Sequence, residues 1–172
     1  MRNEITIREL LPSDVTEEYV SWLNDPEINK YLECRYMTHT IESTIKYVEN
    51  MYNSKDNILF GIFHKDKHIG NVKLGDIHHV YKRCFHSVFL SKEYWGSGAV
   101  LIAGILAEEF AFKKLCLHKI YSGIYATNKA AMAASMRMGW KKVGIYKDHA
   151  VDANGNYIDW YIVEKINPYE EN

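Results

Sequence analysis

Cysteine and proline are scarce in this chain, with three of each among 172 residues. Cys34, Cys84 and Cys116 are odd in number, widely spaced and without a CxxC pair. That excludes a disulfide framework and is the pattern of free thiols in a reducing cytoplasm. No Ser/Gly-rich linker, block of like charge or repeat of 20–50 residues interrupts the chain, so a single domain over 1–172 is expected. No apolar run approaches the ~20 residues of a membrane-spanning helix. Charge of one sign is missing too: 21 Lys+Arg face 22 Asp+Glu, and 21 − 22 gives −1. A dedicated nucleic-acid binder would carry a basic excess. The start, Met1-Arg2-Asn3-Glu4, reaches the alternating Ile5-Thr6-Ile7 too soon for a signal peptide.

Apolar residues at 47% and charged residues at 25% suffice for a packed core under a soluble surface. Period-two patterns predict strands over 4–9, 58–64, 68–74, 83–90, 119–125, 143–148 and 157–166. Helical spacing appears from Pro12-Ser13-Asp14 to a stop at Pro26, and again over 41–51 behind Thr40 as a cap. A third helix, 98–114, is apolar almost all round. A fourth, over 128–138, is rich in small residues and ends at Gly139. The order is βααβββαβαββ, an α/β fold with one mixed, mostly antiparallel central sheet flanked by helices.

The segment Val88-Phe89-Leu90-Ser91-Lys92-Glu93-Tyr94-Trp95-Gly96-Ser97-Gly98-Ala99-Val100 holds most of the chemistry. A strand ends, a Gly-x-Gly turn follows and a buried helix begins at once. Glycines permit unusual backbone angles, and helix-start amides favour an anion such as a pyrophosphate. A tight turn with no ligand is the plain alternative. A Walker loop is excluded, because Ala99-Val100 stand where Lys and Ser/Thr belong. The dinucleotide fingerprint fails as well, with Leu101 in place of its third glycine.

With its flanks, this segment resembles the GCN5-related N-acetyltransferase (GNAT) superfamily. That family's acetyl-CoA loop reads Q/R-x-x-G-x-G/A; Trp95 and Val100 depart from it, and the central glycine is kept. Trp22-Leu23-Asn24-Asp25-Pro26-Glu27-Ile28, and Asn128 followed eleven residues later by Gly139-Trp140, are similar to a branch with ribosomal-protein and amino-sugar N-acetyltransferases. The resemblance implies acetyl-CoA as co-substrate, a strand 85–90 splayed from its neighbour, and main-chain contacts to the cofactor from Val88, Phe89, Leu90 and from Trp95, Gly96, Ser97, Gly98, Ala99 and Val100. It implies a cofactor contact from Asn128, for which a helix cap is the alternative. Ser135 stands where many relatives carry a tyrosine acid and could donate a hydrogen bond to the sulfur.

For the base that frees the amine, His149 leads by its chemistry. Glu33 is its main rival, and water could also relay the proton. Asp76 is a further candidate, placed near the acceptor. Tyr31, Tyr36, Tyr81 and Tyr94 are candidate pocket walls. His78, His79 and His86 do not form a metal-ligand pattern, so no metal is expected. The expected acceptor is a small amine such as a nucleotide-linked amino sugar. A protein N-terminus, a polyamine, a non-catalytic acyl-CoA sensor and a nucleotide-phosphate binder are the alternatives, with no nucleic-acid or membrane partner and room for a homodimer.

Overall fold

The computed structural model describes residues 4–152 and 154–170. Met1-Arg2-Asn3, on which the signal-peptide expectation partly rests, lie outside them.

The first strand, β1 (Ile5–Glu9), leads through a 3-10 turn at Pro12–Asp14 into α1 (Glu17–Asn24) and a short α2 (Pro26–Asn29). The expected helix from Pro12 therefore starts later. Thr16 is extended and its hydroxyl accepts from the Tyr19 amide, which makes it the cap of α1. Pro26 opens a helix rather than only ending one, because Asp25 caps α2 and proline suits the first helical position. Next comes α3 (Ile41–Tyr52), held at its start by reciprocal bonds between Thr40 and Ser43.

A meander follows, β2 (Ile58–His64), β3 (Lys67–His78) and β4 (Arg83–Leu90). The third strand continues past Leu74 through a bulge, where Asp76 takes φ +50°. After the turn, α4 (Ala99–Glu109) gives way to a π-helical turn at Phe110–Lys114, so the expected 98–114 helix changes winding in its last turn. Then come β5 (Lys119–Tyr125), α5 (Lys129–Arg137), β6 (Lys141–Val151) and β7 (Tyr157–Ile166).

The seven strands form one sheet in the order β1-β2-β3-β4-β5-β7-β6. Only β4 and β5 are parallel; the other neighbours are antiparallel. Cys84, Leu90, Val72 and Ile120 pack under Ala99, Ala103, Ala107 and Ala111 of the α4 segment, all buried. Alanine at these positions lets α4 lie close to the sheet. Phe89, Leu59 and Phe63 pack on the other face against Tyr19, Trp22 and Val48 of α1 and α3. Fully burying a side chain of this size stabilises by about 1.5–3 kcal/mol before conformational entropy is subtracted.

A buried ion pair ties the far elements together. Lys165 of β7 meets Glu108 of α4 and the Met138 carbonyl, and the Trp140 indole also donates to Glu108. Glu108 is only 3% exposed, so removing either cationic or indole partner would strand a buried charge.

Candidate functional site

Two arrangements meet where the sheet opens. The parallel pairing of β4 and β5 covers only Arg83–Phe85 against Lys119–Tyr121. Beyond it, β4 from His86 to Leu90 and β5 from Ser122 to Tyr125 have no partner on their facing sides, so the strands part into a wedge. The sequence resemblance implied this split from residue 85; pairing ends with that residue.

The first arrangement is the turn that follows β4. Trp95 anchors it, because the indole Nε1 donates to the Leu90 carbonyl at 3.0 Å. Ser97 braces it from inside, its hydroxyl donating to Tyr94 O at 2.7 Å and accepting from the Ala99 amide at 3.2 Å. Gly96 and Gly98 have φ of +74° and +84°, and a Cβ built on either would meet nothing within 4 Å. Positive φ explains why both are glycine, and the open space leaves room for a ligand against the backbone.

The Trp95 and Ser97 amides are used by the turn itself, pairing with Lys92 O and Tyr94 O. Together with Ala99, these are not anion donors, contrary to the uniform cradle expected over 95–100. The amides of Gly96, Gly98 and Val100 have no acceptor among the described residues. Three unpaired donors at the start of an eleven-residue helix suit a diphosphate. This is the fit expected for the pyrophosphate of acetyl-CoA.

The second arrangement lies over the opposite face of the sheet. Glu33, Arg35, Tyr36, Tyr125, His149, Ala150 and Trp160 enclose a pocket of about 300 Å³. Tyr125 ends β5, and its ring shares a face with Tyr121, which packs edge-on against Phe85 at 5.6 Å. Phe85 in turn lies on the Phe89 face of β4, away from α4. The pocket and the α4 turn therefore sit on opposite sides of the wedge.

Within the pocket, the Tyr125 hydroxyl donates to Glu33 in a short hydrogen bond. Burial first, and the Glu33 charge second, push the Tyr125 phenol up to about 12, so it stays protonated and remains the donor. Arg35 fastens the Glu33–Tyr36 turn to the last hairpin, donating to Lys30 O, the Tyr36 hydroxyl and Val151 O. His149 lies flat on Trp160, centroids 4.7 Å apart and planes at 11°. The Trp160 indole crosses β5 so closely that a Cβ on Gly123 would fall 2.0 Å from it. Its Nε1 is buried and has no partner among the described residues.

The structure thus brings Glu33 and His149 to one pocket. Tyr36 joins them, and Tyr31 packs beside it, 5.7 Å from Tyr125. Asp76 does not belong: antiparallel pairing sets the end of β3 beside the start of β4, at the closed end of the wedge. Its side chain is exposed and its amide donates to Asn57. Tyr81 stacks on His78 at 4.1 Å near the same closed end, and Tyr94 reaches His64.

Asn128 caps α5, its Oδ1 accepting from the Ala131 amide at 3.1 Å, which leaves its Nδ2 for any ligand. Ser135 is buried on α5, and its carbonyl accepts from the Met138 and Trp140 amides. His86, the first residue beyond the paired rungs, is buried with an unpartnered Nε2 beside Trp140; burial pushes it down to about 4. Among the described residues no cluster of three His, Cys, Asp or Glu could hold a metal ion, and no helix is long and apolar enough to cross a membrane.

Arg35, Tyr125 and Trp160 were not anticipated. A glycine inside the apolar strand 119–125 signals close approach by a bulky group, but not that the group is Trp160.

Residues 4–141 match the acetyltransferase (GNAT) domain family. The probable N-acetyltransferase YjcK of Bacillus subtilis (strain 168) is 33% identical over 115 residues, 65% of this chain and 63% of that protein. The spermidine N(1)-acetyltransferase of Escherichia coli (strain K12) is 32% identical over 88 residues, 51% of this chain and 47% of that one. The match thus spans about half to two thirds of these relatives' length. Among solved structures, the spermidine N-acetyltransferase from Vibrio cholerae in complex with CoA and spermine superposes with a TM-score of 0.87 at 20% identity, over 96% of both chains. The chain belongs to the GNAT acetyltransferase family.

Proposed function

We propose that this chain is an acetyl-CoA-dependent N-acetyltransferase acting on a primary amine by direct attack. The observation that carries the reading is the wedge between β4 and β5, which joins the unpaired amides after β4 to the Glu33 pocket on the other face. Donor and acceptor can approach from opposite sides and meet in the gap.

Acetyl-CoA supplies an acetyl group activated as a thioester. The Gly96, Gly98 and Val100 amides hold its diphosphate, and the edge of β4 from Val88 to Leu90 offers main-chain groups to the arm. A backbone donor aimed at a developing oxyanion contributes roughly 3 kcal/mol. Glu33 attracts the acceptor ammonium, with Tyr125 fixing its carboxylate. His149 takes a proton from that ammonium, the neutral nitrogen forms the new C–N bond as the C–S bond breaks, and the second proton that this nitrogen loses on becoming an amide passes to the departing thiolate. The thiolate, with an ordinary pKa of ~8.5, leaves with little help, and Ser135 donates a hydrogen bond to it.

Two of the relatives are named for spermidine and none for an amino sugar. The amino-sugar acceptor is therefore left without support, and kinship makes polyamines the amine class to test against this pocket. The test is calorimetric binding of acetyl-CoA combined with thiol release in the presence of amines. Binding with amine-dependent release is expected. Binding without release from any amine would make the chain an acyl-CoA sensor, and no binding would remove the site.

A further inference from the structure

We propose that the pocket accepts an amine with one ammonium carried on a flat apolar body, and discriminates against polyamines. This rests on the reading of the pocket as the amine site, and goes beyond it by naming the acceptor's charge and shape.

Charge is the first argument. Among the residues lining the pocket, Glu33 is the only carboxylate, and it is already shared with the Tyr125 hydroxyl. Of the hairpin's other acids, Asp148 is exposed and outside the pocket lining, and Glu164 pairs with Lys119 at 3.0 Å. Asp152 accepts from the Asn154 and Asn156 amides, and Asp159 pairs with Lys147 at 2.7 Å. Cations flank the single anion. The Arg35 guanidinium lies 4.6 Å from the Tyr36 ring and 5.2 Å from the Tyr125 ring, and Lys30 Nζ stands 5.1 Å from the Tyr31 ring. One ammonium can pair with Glu33. The second and third of a polyamine would meet a fixed guanidinium instead of a carboxylate, and unlike-for-like charge placement is how binding sites reject wrong partners.

Shape is the second argument. One wall is the parallel stack of His149 on Trp160, with Tyr146 at 5.0 Å from His149. Rigid rings this close together make a flat surface that favours a planar or apolar body, and ring faces also attract the ammonium. The volume of about 300 Å³ is at the lower end for a ligand pocket.

The test compares phenethylamine, n-hexylamine and spermidine as acceptors for the full chain, by thiol release with saturating acetyl-CoA. Phenethylamine is expected to exceed spermidine in kcat/KM by at least about tenfold. Trp160→Leu should lower kcat/KM for phenethylamine about tenfold, mainly through KM, and that for hexylamine less. Acetyl-CoA affinity, measured by calorimetry, should stay at the wild-type value and so report an intact fold.

Preference for spermidine would overturn the inference and leave the acetyltransferase reading in place. An equal loss for all three amines in Trp160→Leu would overturn the shape argument. Binding of acetyl-CoA with no amine consumed would take down the amine site and this preference together.

Discussion

The turn after β4 and the pocket over β5 are built by opposite strategies. The turn is one contiguous stretch, Trp95 to Val100, whose unpaired donors are main-chain amides. The pocket draws on four segments, at 33–36, 125, 149–150 and 160, and presents side chains. A backbone site is fixed once its glycines take positive φ and Ser97 braces the turn, and the side chain at Val100 can vary without changing the amides it presents. A side-chain site depends on every segment arriving in place. Here that is secured by Arg35 reaching Val151 across 116 positions and by Tyr125 reaching Glu33 across 92. The first can be shared by proteins with different acceptors, and the second is where they diverge.

The largest effect should come from attacking the turn where it has no side chain. Gly98→Asp places a residue at φ +84° and a carboxylate in front of the unpaired amides. Acetyl-CoA affinity should fall by at least about a thousandfold in calorimetry, from lost charge-assisted bonds and added repulsion. No neighbour lies within 4 Å of the new Cβ, so the cost to the fold is confined to the backbone strain of an aspartate at positive φ, which thermal unfolding would measure. Wild-type affinity would mean that this turn is not the anion site.

The junction between the two regions gives a pH dependence. His86, at the root of the wedge, is neutral in the folded chain because burial lowers it to about 4. In the unfolded chain it titrates near 6.5. Between those values the unfolded state binds the extra proton, so stability is complete above pH 6.5, declines as pH falls toward 4 and then levels. The contribution is about 3 kcal/mol at most. His86→Phe should flatten this part of the pH–stability curve from denaturant titrations; His68, also lowered mainly by burial, leaves a residual slope in the variant. An unchanged slope would show that His86 is not held neutral.

On the pocket side, His149→Gln keeps a polar side chain against Trp160 and removes the proton acceptor. A fall of about a hundredfold in kcat/KM is expected. Acetyl-CoA binding should not change, since the turn proposed for that ligand lies on the other face. A variant with wild-type kcat/KM would assign the proton to Glu33 or to water.

The same contrast explains what was legible in the sequence. The seven strands and main helices follow from local periodicity, and the turn from Gly96, Gly98 and the helix behind them. Asn128 was visible as a cap because a cap is local. The wedge came only from the family resemblance and not from any local pattern, since it depends on where two strands paired 36 positions apart, Arg83 with Lys119, stop pairing. Asp76 was misplaced for the same reason: it looked like the end of a strand near a site, and the pairing of β3 with β4 puts that end at the closed side. Trp160 and Arg35 act across long sequence separations, and no local pattern announces them.

Ser135 should give the smallest effect, and the reason follows from how α5 is built. Its carbonyl accepts from the Met138 and Trp140 amides in the turn that ends the helix, and Ser135→Ala leaves both bonds in place. What is removed is a hydroxyl with no partner among the described residues on a side chain 9% exposed. Losing a polar group that the chain itself does not satisfy costs the fold little and can stabilise it. Its contribution to turnover is bounded by the leaving group, because a thiolate needs little assistance near neutral pH. A fall of about threefold in kcat, with unchanged acetyl-CoA affinity and equal or higher melting temperature, is the expected result. A fall beyond a hundredfold would instead make this hydroxyl an obligatory proton donor, and would shift the chemistry from the Glu33 pocket toward the α5 face of the wedge.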